Sequence, residues 1–111
     1  MNILEKHLRD VISKTWNYAG KLQTERDHVL NAVLGLAGEA GEVADFHKKL
    51  YYHKSRSEHP DAAREELKLE LGDCIFYWIK ILDLYGFTVE EILEANRIKL
   101  TTRHPNKFKN E

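Results

Sequence analysis

Two pairs of acidic residues in this 111-residue chain are spaced so that each pair can act together: Glu39 with Glu42, and Glu70 with Asp73. Residues three apart on a helix are surface neighbours. Four carboxylates with no Cys or His among them offer only oxygen donors, which suits a hard cation such as Mg²⁺ or Mn²⁺. A di-iron carboxylate bundle would want Glu-x-x-His pairs. The corresponding positions here are Glu42 and Asp73, so that chemistry ranks low. The plainer alternative is that both pairs line a solvated flank, where like charges simply repel one another across water.

The position of Glu39 argues against the plainer alternative. Ala32, Leu36, Val43, Phe46 and Leu50 recur at spacings of three and four and mark the packed seam of one helix. The member that would complete the series is residue 39, a glutamate. An unpaired carboxylate on a packed face is costly unless it is protonated, paired or bound to a cation. Its helical neighbours one turn away are Gly35 and Val43, so the local helix supplies no base. Gly38 and Gly41 sit beside it, each unfavourable in a helix interior by about 1 kcal/mol relative to alanine. Their presence implies that something approaches closely. Asp45 extends the acidic line by three residues.

The second pair lies on another long helix. Leu67, Leu71, Cys74, Trp78, Leu82 and Tyr85 form its apolar seam, and Glu66, Glu70, Asp73 and Tyr77 run along one edge of that seam. If the two helices form an antiparallel hairpin, the acidic pairs converge.

The elements that would position these acids are all helical. Proline occurs only at 60 and 105, and neither alternating apolar stretches nor Asn-Gly or Asp-Gly hairpin turns are found. Four helices are expected, at about Ile3–Tyr18, Thr24 or Asp27 to Tyr52, Asp61–Leu84 and Thr88–Thr102. Gly86 should cap the third, and Thr88-Val89-Glu90-Glu91 should form a capping box on the fourth. A polar loop spans His53–Pro60, and the tail from His104 is expected to be extended. The fold class is all-α: a single four-helix-bundle-like domain, oligomerising through long antiparallel helices. The apolar stretch from Ile75 to Leu82 exceeds what a lone small bundle buries and places that helix near a subunit interface.

Composition excludes several classes. Apolar residues make up 42% and charged residues 32%, and the formal net charge is −1. That balance does not favour a nucleic-acid partner. No segment approaches the roughly 20 apolar residues of a membrane span. Met1 to His7 does not read as a signal peptide, so a cytoplasmic protein is expected. The single cysteine, Cys74, reads as packing, not as a nucleophile. The six histidines lack zinc-ligand spacing and are expected mostly at the surface.

The segment Gly35-Leu36-Ala37-Gly38-Glu39-Ala40-Gly41-Glu42-Val43-Ala44-Asp45 resembles the first signature of MazG-like nucleotide pyrophosphohydrolases. Glu66-Leu67-Lys68-Leu69-Glu70-Leu71-Gly72-Asp73, followed by Tyr77, resembles the second. Asn96-Arg97-Ile98-Lys99-Leu100, with Arg103 and Pro105, is similar to the family's C-terminal stretch. The resemblance covers roughly Asn31 to Phe108. It implies a Mg²⁺-dependent enzyme, usually a dimer or tetramer, that hydrolyses nucleoside triphosphates to monophosphate and pyrophosphate. Many such enzymes clear non-standard or excess deoxynucleotides.

The resemblance further implies Glu39, Glu42, Glu70 and Asp73 as metal ligands, with Glu39 and Glu42 as catalytic candidates and Glu42 orienting the attacking water. Asn96, Lys99 and Arg103 can share one helical face and contact phosphates, Arg in bidentate fashion. Basic residues are, however, also favoured in a last helical turn by the helix dipole alone. Tyr77 can stack on a base, Asn31 can hydrogen-bond the nucleoside, and Trp16 is expected in the core. Lys48 and Lys49 read as a solvated face. Competing readings are a phosphoribosyl-ATP pyrophosphatase-like enzyme, a non-catalytic helical binding module, and a structural coiled coil.

Overall fold

In the computed structural model, residues 1–53 and 58–108 are described, and they contain five helices and no strand. Helix α1 spans Ile3–Thr15, α2 Glu25–Tyr52, α3 Pro60–Tyr85, α4 Val89–Arg103 and α5 Pro105–Phe108. The middle of the expected polar loop, residues 54–57, and the tail residues 109–111 lie outside the described residues.

Each helix starts on a side chain or ring that satisfies or removes free backbone N–H groups. Asn2 accepts from the Glu5 N–H at 2.8 Å. Thr24 and Asp27 close a full capping box at the head of α2. Pro60 opens α3, where a missing N–H costs nothing. Thr88 accepts from the Glu91 N–H at 3.1 Å, which is the threonine half of the expected box. Gly86 ends α3 with φ of 72°, the left-handed conformation expected of that cap.

Helix α1 ends at Thr15, three residues before the expected Tyr18. Asn17 is the reason. It adopts φ of 55°, and its side-chain amide bonds both backbone groups of Leu22, at 2.8 and 2.9 Å. Asparagine tolerates this left-handed geometry and competes with the helix for its own backbone. The expected extended tail is instead one helical turn at Pro105–Phe108.

The centre of the molecule is the α2–α3 hairpin, and most contacts between elements belong to it. Its antiparallel register is set by facing residues: Gly35 opposite Tyr77, Glu39 opposite Glu70 and Asp73, and Phe46 and Leu50 opposite Ala63 and Leu67. Helix α1 lies against α3, tied by an ion pair from Arg9 to Asp83 that Glu5 shares through its own bond to Arg9. Ile12 is fully buried there.

The expected α2 seam forms: Ala32 and Phe46 are buried, and Leu36, Glu39, Val43 and Leu50 are half-buried. The expected α3 seam is only partly right. Ala63, Ile79 and Leu82 are buried, but Leu71 is 47% exposed and Tyr85 58% exposed. The line facing α2 runs instead through Glu70 and Tyr77, so the acids sit closer to the seam than their spacing from the leucines suggested.

Helix α4 has no buried residue, and its substantial packing is against α5. The described chain therefore does not close a four-helix bundle on itself. The radius of gyration is 17.7 Å, against roughly 13 Å for a compact domain of this length. No described helix is long and apolar enough to cross a membrane.

Candidate functional site

Because α2 and α3 run antiparallel in this register, three of the four expected acids meet. Glu39, Glu70 and Asp73 each offer a carboxylate oxygen, and these oxygens lie within 4.8 Å of one another. Glu39 and Glu70 are half-buried and Asp73 is exposed, so the group sits at the lip of the seam. Glu42, one turn further along α2, is exposed and stands outside this trio. Among the described residues none of the four forms an ion pair. Asp45, by contrast, is held by Lys49 at 2.9 Å, which leaves Lys49 on a surface pair as expected.

Three clustered carboxylates without a base shift their own ionisation. Glu39 is held above the ordinary carboxylate range, first by burial and then by the charges of Asp73, Glu70 and Glu42. Cys74 is pushed up as well, by burial and then by Glu39, Asp73 and Glu70. Its thiol therefore stays protonated, in keeping with a packing role. Protonation of Glu39 or a bound cation would relieve this crowding, and the all-oxygen donor set could hold a hard divalent cation.

Beside the acids lies a cavity of about 300 Å³. Tyr77, one turn after Asp73, forms part of its wall, and so does Asn31, two turns before Glu39. One helical turn is about 5.4 Å, so cavity and acids occupy adjoining stretches of one hairpin. Gly35 sets the Tyr77 ring: a methyl at position 35 would overlap it. This explains a glycine in the middle of a 28-residue helix. At Gly38 and Gly41 an added methyl would meet nothing within 4 Å among the described residues, so none of these makes the close approach expected there.

Trp16, expected in the core, is half-buried and lines the cavity. Its indole N–H donates to Nδ1 of His28 at 2.9 Å, and the Lys80 ammonium stands 5.1 Å from its ring centroid. Phe76 and Tyr77 pack around it, with ring centroids 6.2 and 6.1 Å away. His7, His53, His59 and His104 are exposed, in line with the expectation that most histidines lie at the surface, while His28 and His47 are half-buried and hydrogen-bonded. The loop Asn17–Leu22 supplies much of the remaining wall. The helix break at Asn17, with Gly20 three residues on, is the sequence signal for this loop; the spacing-based reading passed over it as a plain terminus.

The expected phosphate contacts are not brought to the acids within one chain. Asn96, Lys99 and Arg103 are exposed on α4, which does not pack along the hairpin.

Comparison with known proteins places this geometry. Residues 27–108 match the model of the MazG nucleotide pyrophosphohydrolase domain. A relative in Bacillus subtilis (strain 168), the uncharacterized protein YvdC, is 33% identical over 72 residues, covering 61% of this chain and 68% of that protein. No solved structure matches. The matched segment contains both acidic pairs, the Gly35–Tyr77 contact and all of α4. The chain belongs to the MazG nucleotide pyrophosphohydrolase family.

Proposed function

We propose that this chain is a Mg²⁺-dependent nucleoside triphosphate pyrophosphohydrolase, with Mn²⁺ as a substitute metal, acting in the cytoplasm to clear unwanted nucleotides. The observation that carries the reading is the trio Glu39, Glu70 and Asp73, unpaired among the described residues and adjoining an aromatic cavity.

In this reading water attacks the α-phosphorus, the α–β anhydride bond breaks, and monophosphate and pyrophosphate leave. Glu39, Glu42, Glu70 and Asp73 would hold the metal. A bound divalent cation would supply charge neutralisation between carboxylates and phosphates and lower the pKa of water. Glu42, exposed beside the trio, would accept a hydrogen bond from the attacking water and orient it, with Glu39 as the second catalytic acid. Asn31 and Tyr77 would bind the nucleoside. Asn96, Lys99 and Arg103 would bind the departing pyrophosphate.

That last role requires α4 to reach the hairpin, and its exposed Leu93, Ile98 and Leu100 give it a reason to pack. A homodimer or homotetramer would cover these residues together with Leu71 and Ile75 of α3. The test is pyrophosphate release from a panel of ribo- and deoxynucleoside triphosphates and phosphoribosyl-ATP, with Mg²⁺ and with EDTA, on the wild type and Glu39→Gln. Metal-dependent release that vanishes in the variant supports the reading. Folded protein with metal that turns over none of these compounds overturns it.

A further inference from the structure

The aromatic cavity is built largely by residues that precede the family match. That match begins at residue 27, whereas Thr15, Trp16, Asn17, Tyr18, Lys21 and Leu22 all line the cavity. The N-terminal segment of this chain therefore shares with Asn31, Phe76 and Tyr77 in shaping what the cavity admits.

Three of its walls are locked. Trp16 is fixed by its bond to His28, at 2.9 Å, and by the overlying Lys80. Tyr77 is fixed by the fit of its ring over Gly35. The loop is closed by the Asn17 amide, which both donates to and accepts from the backbone of Leu22. Among the described residues that line this cavity, Lys21 is the one charged side chain, alongside the Asn31 amide and the hydroxyls of Tyr18 and Tyr77. Lys21 lines the cavity, and no ion pair or hydrogen bond engages its ammonium among the described residues. An ammonium has three donors and no acceptor. An aromatic slot of about 300 Å³ with a donor-only group at its rim suits a flat ring that carries an exocyclic oxygen.

We infer that Lys21, carried on the loop that Asn17 clasps, is a specificity-determining residue that favours nucleotides whose base bears an exocyclic carbonyl at the edge it meets. Thymine, uracil and guanine present an acceptor there, while cytosine and adenine present an amino donor that meets a second donor. Asn17 is a positioning residue in this scheme: its side-chain amide is engaged with the Leu22 backbone and holds the loop that carries Lys21. The inference rests on the nucleoside-binding reading of the cavity proposed above.

The experiment needs no turnover. The full chain carries Trp78→Phe, so that Trp16 is its only tryptophan, and is titrated with dTMP, dGMP, dCMP and dAMP while its fluorescence is followed. A preference of about tenfold for dTMP and dGMP over dCMP and dAMP is expected. Lys21→Met should reduce it to near one, and Lys21→Arg, still donor-only, should keep it. Asn17→Gly, which tolerates the same φ, should lose most of the preference, whereas a merely structural role would weaken all four ligands alike. Equal weakening of all four ligands by Lys21→Met would overturn the inference, because Lys21 would then be a general phosphate contact. So would an unchanged preference, or no quenching by any of them. Discrimination of monophosphates by a chain that hydrolyses no triphosphate would sink the enzymatic reading and leave this one standing. Hydrolysis with a base preference indifferent to Lys21 would do the reverse.

Discussion

Gly35 on α2 and Tyr77 on α3 face each other so closely that no side chain larger than hydrogen fits between them. Each residue is one turn from a metal-ligand candidate, Glu39 and Asp73 respectively. The aromatic wall of the cavity and the acidic trio are thus set by a single helix–helix approach.

Gly35→Ala tests that coupling. Alanine is the better helix former by about 1 kcal/mol, but the Tyr77 ring must move, and overpacking costs about 1–3 kcal/mol. A lowered Tm is expected, with a raised KM and a smaller change in kcat. Adding Tyr77→Ala should lower the Tm by less than it does in the wild type, because the clash leaves with the ring, and should leave the KM raised. Thermal melts and steady-state kinetics on the single and double variants check this.

Glu39→Gln should move stability and activity in opposite directions. Removing one of the crowded charges relieves repulsion with Asp73, Glu70 and Glu42, so the metal-free protein should melt at a higher temperature than wild type. Metal-dependent turnover should fall by about 100-fold or more. A variant less stable in EDTA than wild type would contradict this account of the cluster.

The same cluster sets a pH dependence. Glu39 titrates above its reference value of 4.5 in the folded chain, so the folded state holds that proton more tightly than the unfolded state does. Stability in EDTA should therefore be greatest below about pH 4.5 as far as this group is concerned, and should decline as pH rises through the folded value. Saturating Mg²⁺ should reverse the slope, because the metal competes with the proton for the same oxygens. Calorimetric melts across this window, with EDTA and with Mg²⁺, would show the crossover.

Helix α4 should be an assembly element. Leu93 and Ile98 are 62% and 50% exposed, and a charge at either should be tolerated only if the helix packs on nothing. Leu93→Asp and Ile98→Asp are expected to lower the mass measured by light scattering and to reduce turnover with it. An unchanged mass for both would remove α4 from the interface.

Helix content was legible in the sequence because few breakers interrupt strong periodicity. Glu39 was legible as an acid in a seam because a single helix fixes which residues share a face. The exact face of α3 was not. Its stretch around Ile75–Leu82 is apolar nearly all round, so several seams fit equally well, and only the partner helix decided that Tyr77 turns inward while Leu71 does not. The loop after α1 was missed for another reason. Asn17 acts through its side-chain bonds to Leu22, a tertiary detail that apolar spacing does not encode. Lys99 and Arg103 illustrate a third limit, since motif spacing placed them on one face of a helix but not against any surface of the hairpin.

The antiparallel register bears on how such a sequence can vary. Inserting one residue inside α2 or α3 rotates everything beyond it by about 100°, which would separate Glu39 from Glu70 and turn Tyr77 away from Gly35. Lengthening the connection between the two helices alters only the cost of closing it, by about 0.6 kcal/mol per doubling. Insertions and deletions accepted by a functional hairpin should therefore collect in that connection and be purged from the helices, and a deletion scan selected for activity would trace the register in the pattern of survivors.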